Sequence, residues 1–385
     1  MSGLRSIIEQ EIHERGPIPF SRYMELCLYH PKLGYYSRNA EQFGKAGDFY
    51  TSSDVHAVFG RLLARQFDEM WRLLGSPAVI TIRELGPGRG LFAQDVMDWA
   101  EKKFPDFFQA LRYVLIEQSP VLRDRISHVL NRRIEAGKAI LEPADRADAI
   151  AFRQEADRTP SIVFANEFFD AIPVDVVSSR GSLRVDARDS RFIETWAPAS
   201  PQELEFLDRY SVHPEEDERI EVSLLSLPLF VSECAIDRGF VVVIDYGYTR
   251  EEQLAGRHRG TLKAIRQHAV SGNPYEAPGE QDLTADVNFT ALAAVAEQNG
   301  LHPQKLITQS QFLMGIGEEN QFADAFQDCR LPQERAKVAL QLKHLVTPAG
   351  MGESFHVLVA SKRLEAERVS NLSGLSFGQR RHLQT

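Results

Sequence analysis

Four carboxylates and one amide stand where this chain could do chemistry. Glu117, Asn166-Glu167 and Asp245 each follow a short apolar run, Asp170 lies shortly after Glu167, and an earlier run from Val79 precedes them all. Apolar runs of this length read as buried strands. A polar residue at the carboxyl end of a parallel strand points into the ligand crevice. Glu117, at the tip of the second run (Tyr113–Ile116), could accept hydrogen bonds from both hydroxyls of a ribose, although a strand can also end in an acid by chance. Asn166, Glu167 and Asp170 stand among Phe168 and Phe169. They could manage charge and protons at a reacting group. Equally, Asp170 could cap the next turn and Glu167 could orient the loop.

The first apolar run leads into glycines at 86, 88 and 90, and a helical pattern starts at Leu91. Strand, glycine loop and helix open a nucleotide-binding α/β unit, because a side chain in the loop would hold the backbone off the ligand. The dinucleotide fingerprint G-x-G-x-x-G would need a third glycine at Leu91, which speaks against a nicotinamide oxidoreductase. The pattern is instead E-x-G-x-G-x-G from Glu84 to Gly90, the form seen in methyltransferases that use S-adenosylmethionine (SAM). SAM carries no phosphate, so Pro87, which lacks an N–H, is tolerable in the loop. The competing reading is a tight strand–helix turn that needs glycine only for its backbone angles.

The flanking elements follow from periodicity. Helices are expected over 2–15, from Ser21 as cap through Leu28, over 55–74, after a Ser119 cap, and over 289–298. The aromatic-rich segment 29–36 reads as local packing, with His30 structural. A third strand is expected within 135–142, further strands near 260–266, 305–308 and 354–361, and a loop from Ser271 to Asp286. Residues 176–196 alternate like a hairpin. The acidic run Glu215–Glu218 reads as a solvated face. The tail after Glu367 is polar and is expected to fray.

Composition narrows the class. With 44 basic and 54 acidic residues the net charge is -10, which argues against sequence-independent nucleic-acid binding. Cys27, Cys234 and Cys329 are widely separated, so neither a disulfide framework nor a metal site is expected. No apolar run is long enough for a membrane span, and the N-terminus lacks a signal-peptide pattern. A cytoplasmic protein is expected, or a matrix protein already trimmed.

Seven short words occur together: YHPKLGYY (29–36), GDFYT (47–51), ELGPGRG (84–90), NEFFDAIP (166–173), DYG (245–247), TADVNF (284–289) and MGESF (351–355). In these words and their order the chain resembles the MidA-like class I methyltransferases, a family with a mitochondrial complex I assembly factor that methylates protein arginine. The resemblance implies an α/β, Rossmann-like class I methyltransferase fold with a mixed seven-stranded sheet, an N-terminal helical extension and an inserted cap. The segments would be 1–75 (extension), 76–174 (first part of the core), 175–235 (cap), 236–366 (second part of the core) and 367–385 (flexible tail).

By the same resemblance SAM is the cofactor, with Gly86, Gly88 and Gly90 shaping its pocket and Glu117 holding the ribose. Asp48, Phe49 and Thr51 would close the pocket. Asn166, Glu167, Asp170 and Asp245 would face the methyl and the substrate, an arginine of a partner protein that would be dimethylated symmetrically. No nucleic-acid partner is expected, and a homodimer is left open. The chain departs from the family at Ile140–Asp145, where an adenine-placing Trp/His-Asp-x-Leu segment is common, and at Asp54, where glutamate is common. The remaining alternative is a SAM-sensing assembly partner with little catalysis.

Overall fold

The computed structural model describes residues 3–37, 57–145, 148–149, 153, 159–189, 191–266, 269–318 and 320–377. They form two compact units. One, the sheet unit, comprises Tyr50–Glu167, Glu233–Asp245 and Ala296–Thr385; the other, the accessory unit, comprises Met1–Phe49, Phe168–Ser232 and Tyr246–Val295.

The sheet is built from β1 (Ile80–Leu85), β2 (Leu111–Ile116), β3 (Ala139–Leu141), β4 (Ser161–Asn166), β5 (Gly239–Tyr248), β6 (His302–Pro303), β7 (Ile307–Thr308) and β8 (Phe355–Lys362). The spatial order is β6-β8-β5-β4-β1-β2-β3, with β7 also paired to β8. The strands from β3 to β5 are mutually parallel, and β6 and β7 run antiparallel to β8. This is the mixed sheet expected from the sequence, its last hairpin having one arm broken into β6 and β7. All six residues of β1 are buried, as befits a central parallel strand covered on both faces. Helix α1 (Ala57–Leu73) and helix α2 (Leu91–Lys103) cover it with aromatics. Phe92 stacks on Phe164 at 4.7 Å between centroids, and Phe67 meets Phe164 edge-on at 5.5 Å.

This apolar strand also buries Glu84, whose carboxylate accepts a 2.9 Å hydrogen bond from the Tyr113 hydroxyl. Burial pushes its carboxyl up to about 8, and the tyrosine bond opposes that only in part. An acid whose folded value is raised is most stabilising below its unfolded value, and that contribution is lost as pH climbs through about 8. Glu84→Gln keeps an acceptor for Tyr113 and removes the charge. The variant is expected to melt with the wild type near ~pH 5 and to melt higher, by about 5 °C, near ~pH 8.5. A constant difference between the two melting temperatures across that range would contradict it.

Two expectations need correction. Ser21 does not cap its helix, which runs Phe20–Tyr29 after Pro19; its hydroxyl instead donates to Asp175 at 2.7 Å. The tail from 367 is not frayed through 377. Val369 and Leu372 are buried, and the Ser373 and Gly374 amides donate to Glu69 and Gln66 at 2.9 Å.

Segment 175–235, expected as an inserted cap, falls for the most part in one unit with residues of the N-terminal extension. Its strands Asp175–Ser178, Gly181–Arg188 and Arg191–Ala197 form an antiparallel meander, and Ile18–Pro19 adds to the edge against Val185 and Arg184. Leu4, Ile8 and Tyr23 of the N-terminal helices share one apolar core with Leu183, Val185 and Phe192. Burying those faces draws the N-terminal extension and residues 246–295 into the same unit. No described helix is long and apolar enough to cross a membrane.

Candidate active site

The strand order of the sheet reverses between β1 and β4. In open α/β sheets ligands bind at that point, outside the carboxyl ends of the strands. β1 ends in the glycine loop and β4 ends in Asn166-Glu167, so the sheet brings these two motifs to one crevice.

Gly86, Gly88 and Gly90 all have positive φ, at 60°, 54° and 77°. Only glycine holds those angles without strain. The Gly86 amide donates to Ile116 at 3.0 Å, fastening the loop to the end of β2, and the Gly90 amide closes a turn on Pro87 at 2.8 Å. Gly90 is also the N-cap of α2, and no side chain caps that helix. The first amides of α2 therefore remain for a ligand to accept from.

Glu117 follows β2 directly. It accepts from the Ser119 amide at 2.8 Å, and Ser119 caps the next helix, Pro120–Val129, as its sequence predicts. Burial pushes the Glu117 carboxyl up to about 7, against the Ser119 and Gln118 amides and the Arg123 charge.

Glu167 has φ 49°, in the left-handed region that a glutamate rarely enters. A residue held there stores about 1–3 kcal/mol of strain, and such residues cluster at functional sites. Its amide donates to Ile244 at 3.0 Å and its carboxylate accepts from the Asn166 amide group at 3.1 Å. Asn166 Oδ1 is buried and has no hydrogen-bond partner. β4 and β5 stay in register to Asn166 opposite Ile244, so Glu167 and the fully buried Asp245 are the next residues of neighbouring strands.

Asp170 belongs to the accessory unit. It sits in the turn Phe169–Ala171, is buried, and accepts a short hydrogen bond from the Tyr246 hydroxyl. Burial pushes its carboxyl up to about 6, while Tyr246, the Ala171 amide and Lys263 pull the other way. Other family words meet in this unit. The Tyr36 hydroxyl reaches both oxygens of Asp282, at 3.1 and 3.2 Å, and Tyr29 stacks on Tyr36. The Gly247 position of DYG admits no side chain: an added Cβ would lie 2.2 Å from the Val287 carbonyl oxygen. The aromatic segment 29–36 does pack locally, and His30 accepts from the Lys32 and Leu33 amides.

Asp48, Phe49, Thr51 and Asp54 lie outside the described residues. Where the family's adenine segment would fall, Glu142 instead forms a two-pronged ion pair with Arg153 at 2.6 and 3.0 Å. Arg153 in turn reaches buried Glu233 at 2.7 Å. The sequence did not flag Arg153, Asp282 or Tyr246; Tyr246 could have been found from its place in the word DYG.

The positive-φ glycine cradle, the uncapped start of α2 and the orphaned Asn166 oxygen fit a nucleoside bearing a polar tail. Residues 62–307 match the family described as "Putative S-adenosyl-L-methionine-dependent methyltransferase", and the chain belongs to it. It is a SAM-dependent methyltransferase with SAM as its cofactor. Among its relatives is the protein arginine methyltransferase NDUFAF7 homolog, mitochondrial, of Drosophila melanogaster. The two are 30% identical over 93% of this chain and 85% of the relative. The Danio rerio protein arginine methyltransferase NDUFAF7, mitochondrial, is 28% identical over 90% and 84%. A solved structure of a methyl transferase candidate from Burkholderia thailandensis, bound to S-adenosyl-homocysteine, superposes with a TM-score of 0.82 at 26% identity, covering 97% of this chain and 94% of that one. The eukaryotic relatives are named mitochondrial, which leaves the cytoplasmic expectation without support.

Proposed function

We propose that this chain methylates an arginine side chain of a partner protein, with symmetric dimethylarginine as the product. The likeness to protein arginine methyltransferases along nearly the whole chain carries the reading. When bound, SAM supplies an electrophilic methyl on a sulfonium leaving group. Gly86, Gly88 and Gly90 let the backbone approach the cofactor, the α2 amides bind its carboxylate, and Glu117 grips the ribose. Guanidinium stays protonated at neutral pH and its lone pair is delocalised. Glu167 localises that charge and accepts the proton released once the nitrogen carries the methyl, with Asn166 holding the carboxylate in place. Asp245 supports Glu167 from the neighbouring strand.

Tritium transfer from methyl-labelled SAM to partner proteins, followed by amino-acid analysis, tests this. Label in dimethylarginine is expected. Label in another residue, or no labelled protein, would contradict it and favour a cofactor-sensing assembly role.

The ribose contact has its own signature. An ionised carboxylate is the stronger acceptor, so SAM affinity should rise by up to roughly tenfold between ~pH 6 and ~pH 8, through the Glu117 value near 7. Glu117→Gln supplies the baseline, because the ligand's own amino group titrates in the same range. Parallel calorimetric profiles for the two proteins would remove Glu117 from the ribose.

A further inference from the structure

We propose that the strand Arg191–Ala197 is a docking edge, to which an extended, acidic segment of a partner protein adds as a further strand. The edge lies wholly within the accessory unit. Neither cofactor binding nor methyl transfer gives it a task.

The middle strand of the meander, Gly181–Arg188, is paired on both sides. Arg191–Ala197 lies along one side, and Asp175–Ser178 and Ile18–Pro19 share the other. Arg191–Ala197 itself pairs only with Gly181–Arg188 among the described residues. Every second residue of a strand turns its N–H and C=O to a given side, so the far side of this one is a row of backbone donors and acceptors. Among the described residues no backbone or side-chain group hydrogen-bonds to that row. Edges of this kind are normally blunted by proline, lysine, a bulge or shortness. This one has seven residues, without proline or lysine. Its register runs from Ala197 to Arg191 without a skip, so no bulge turns it away. Phe192, Ile193, Thr195 and Trp196 hold it extended, and residues 193–197 are partly exposed.

Charge selects the occupant. Directly opposed residues share a face, so Arg184, Arg188 and Arg191 stand on the face of Ile193 and Thr195, with one acid, Asp186, among them. Asp186 pairs with Arg188 at 3.4 Å. Arg191 is exposed and has no carboxylate partner among the described residues. On the other face Arg219 neutralises Glu194, at 2.6 and 2.8 Å, and Arg180 lies 4.4 Å over the Trp196 ring. This surplus of arginine, on a chain of net charge -10, suits an acidic strand. Such a strand lays its acids along the arginine face and small apolar side chains beside Phe192 and Trp196. A second copy of the chain fits less well. Antiparallel pairing of the edge with itself over all seven residues sets Glu194 against Glu194 and brings two arginine-rich edges together.

The test uses the full chain and the probe acetyl-Thr-Glu-Val-Glu-Val-Glu-Thr-amide, followed by calorimetry and by amide hydrogen exchange. The probe is expected to bind with Kd below ~1 mM and to slow exchange within 191–197. Lysine in place of its glutamates is expected to weaken binding at least ~tenfold. Arg191→Glu is expected to weaken the glutamate probe by about tenfold and to leave affinity for S-adenosyl-homocysteine unchanged. Methyl groups on the probe's own backbone nitrogens read the strand pairing directly. Those on the two valines and those on two of the glutamates point to opposite sides of an extended chain. One pattern should therefore cost at least ~tenfold more affinity than the other. No binding at ~1 mM, equal loss from the two patterns, or unchanged exchange within 191–197 would each overturn the proposal. So would a stable dimer, seen by light scattering, in which 191–197 is already protected, because a second copy would then hold the edge.

Discussion

Gly86→Val is expected to weaken SAM binding at least ~100-fold, read by calorimetry, with the protein still folded. Gly86 has φ 60°, where a β-branched residue is an outlier, and its amide fixes the loop to the end of β2. A valine there costs about 1–2 kcal/mol in backbone strain alone. The chain relieves it by moving the loop, and the amides of Gly88, Gly90 and the start of α2 move with it. A strand and helix as well buried as β1 and α2 survive that local change, so the melting temperature should fall by only about 5 °C. Wild-type affinity in this variant would mean that the cofactor does not sit on the glycine loop.

The second large effect concerns Glu167. Glu167→Gln keeps the shape and the contact with Asn166 but cannot accept a proton. Turnover is expected to fall by about 10²–10⁴ with SAM affinity unchanged. The left-handed backbone supplies an independent check. Glu167→Gly should abolish turnover and also raise stability, by about 1 kcal/mol, because glycine relieves φ 49°. A residue that merely completes a turn would give a small loss of activity in either variant. Full turnover in Glu167→Gln would remove this carboxylate from the mechanism.

What the sequence made legible was local. The run from Ile80 to Gly90 carries strand, loop and helix start within one window, and it folds as read. Ser119 and its helix were legible for the same reason, since a cap and its amide lie three residues apart. The acids at strand tips were found because a parallel strand ends where its apolar run ends. Ser21 misled because its hydroxyl has a better acceptor far along the chain, in Asp175. The tail misled because its two buried apolar residues, Val369 and Leu372, are few among polar neighbours, and the Ser373 and Gly374 amides that follow bond to distant Glu69 and Gln66.

The accessory unit was the least legible part. Its first strand is only Ile18–Pro19, and its partner lies at Arg184 and Val185. A two-residue strand has no period to detect. The strand Asp282–Thr284 was hidden likewise in a segment rich in proline and glycine. The acid at its start gave no sign that it binds a tyrosine, nor the threonine at its end that it would be left without a hydrogen-bond partner. Such groupings come from long-range pairing, which spacing along the chain does not record.

The most direct measurement is a crystal structure of the chain grown with S-adenosyl-homocysteine. The account predicts the nucleoside across the tips of β1 and β4, its ribose hydroxyls on Glu117, its amino-acid tail on the glycine loop and α2, and its sulfur turned toward Glu167. A nucleoside bound elsewhere, or a sulfur turned away from Glu167, would contradict it.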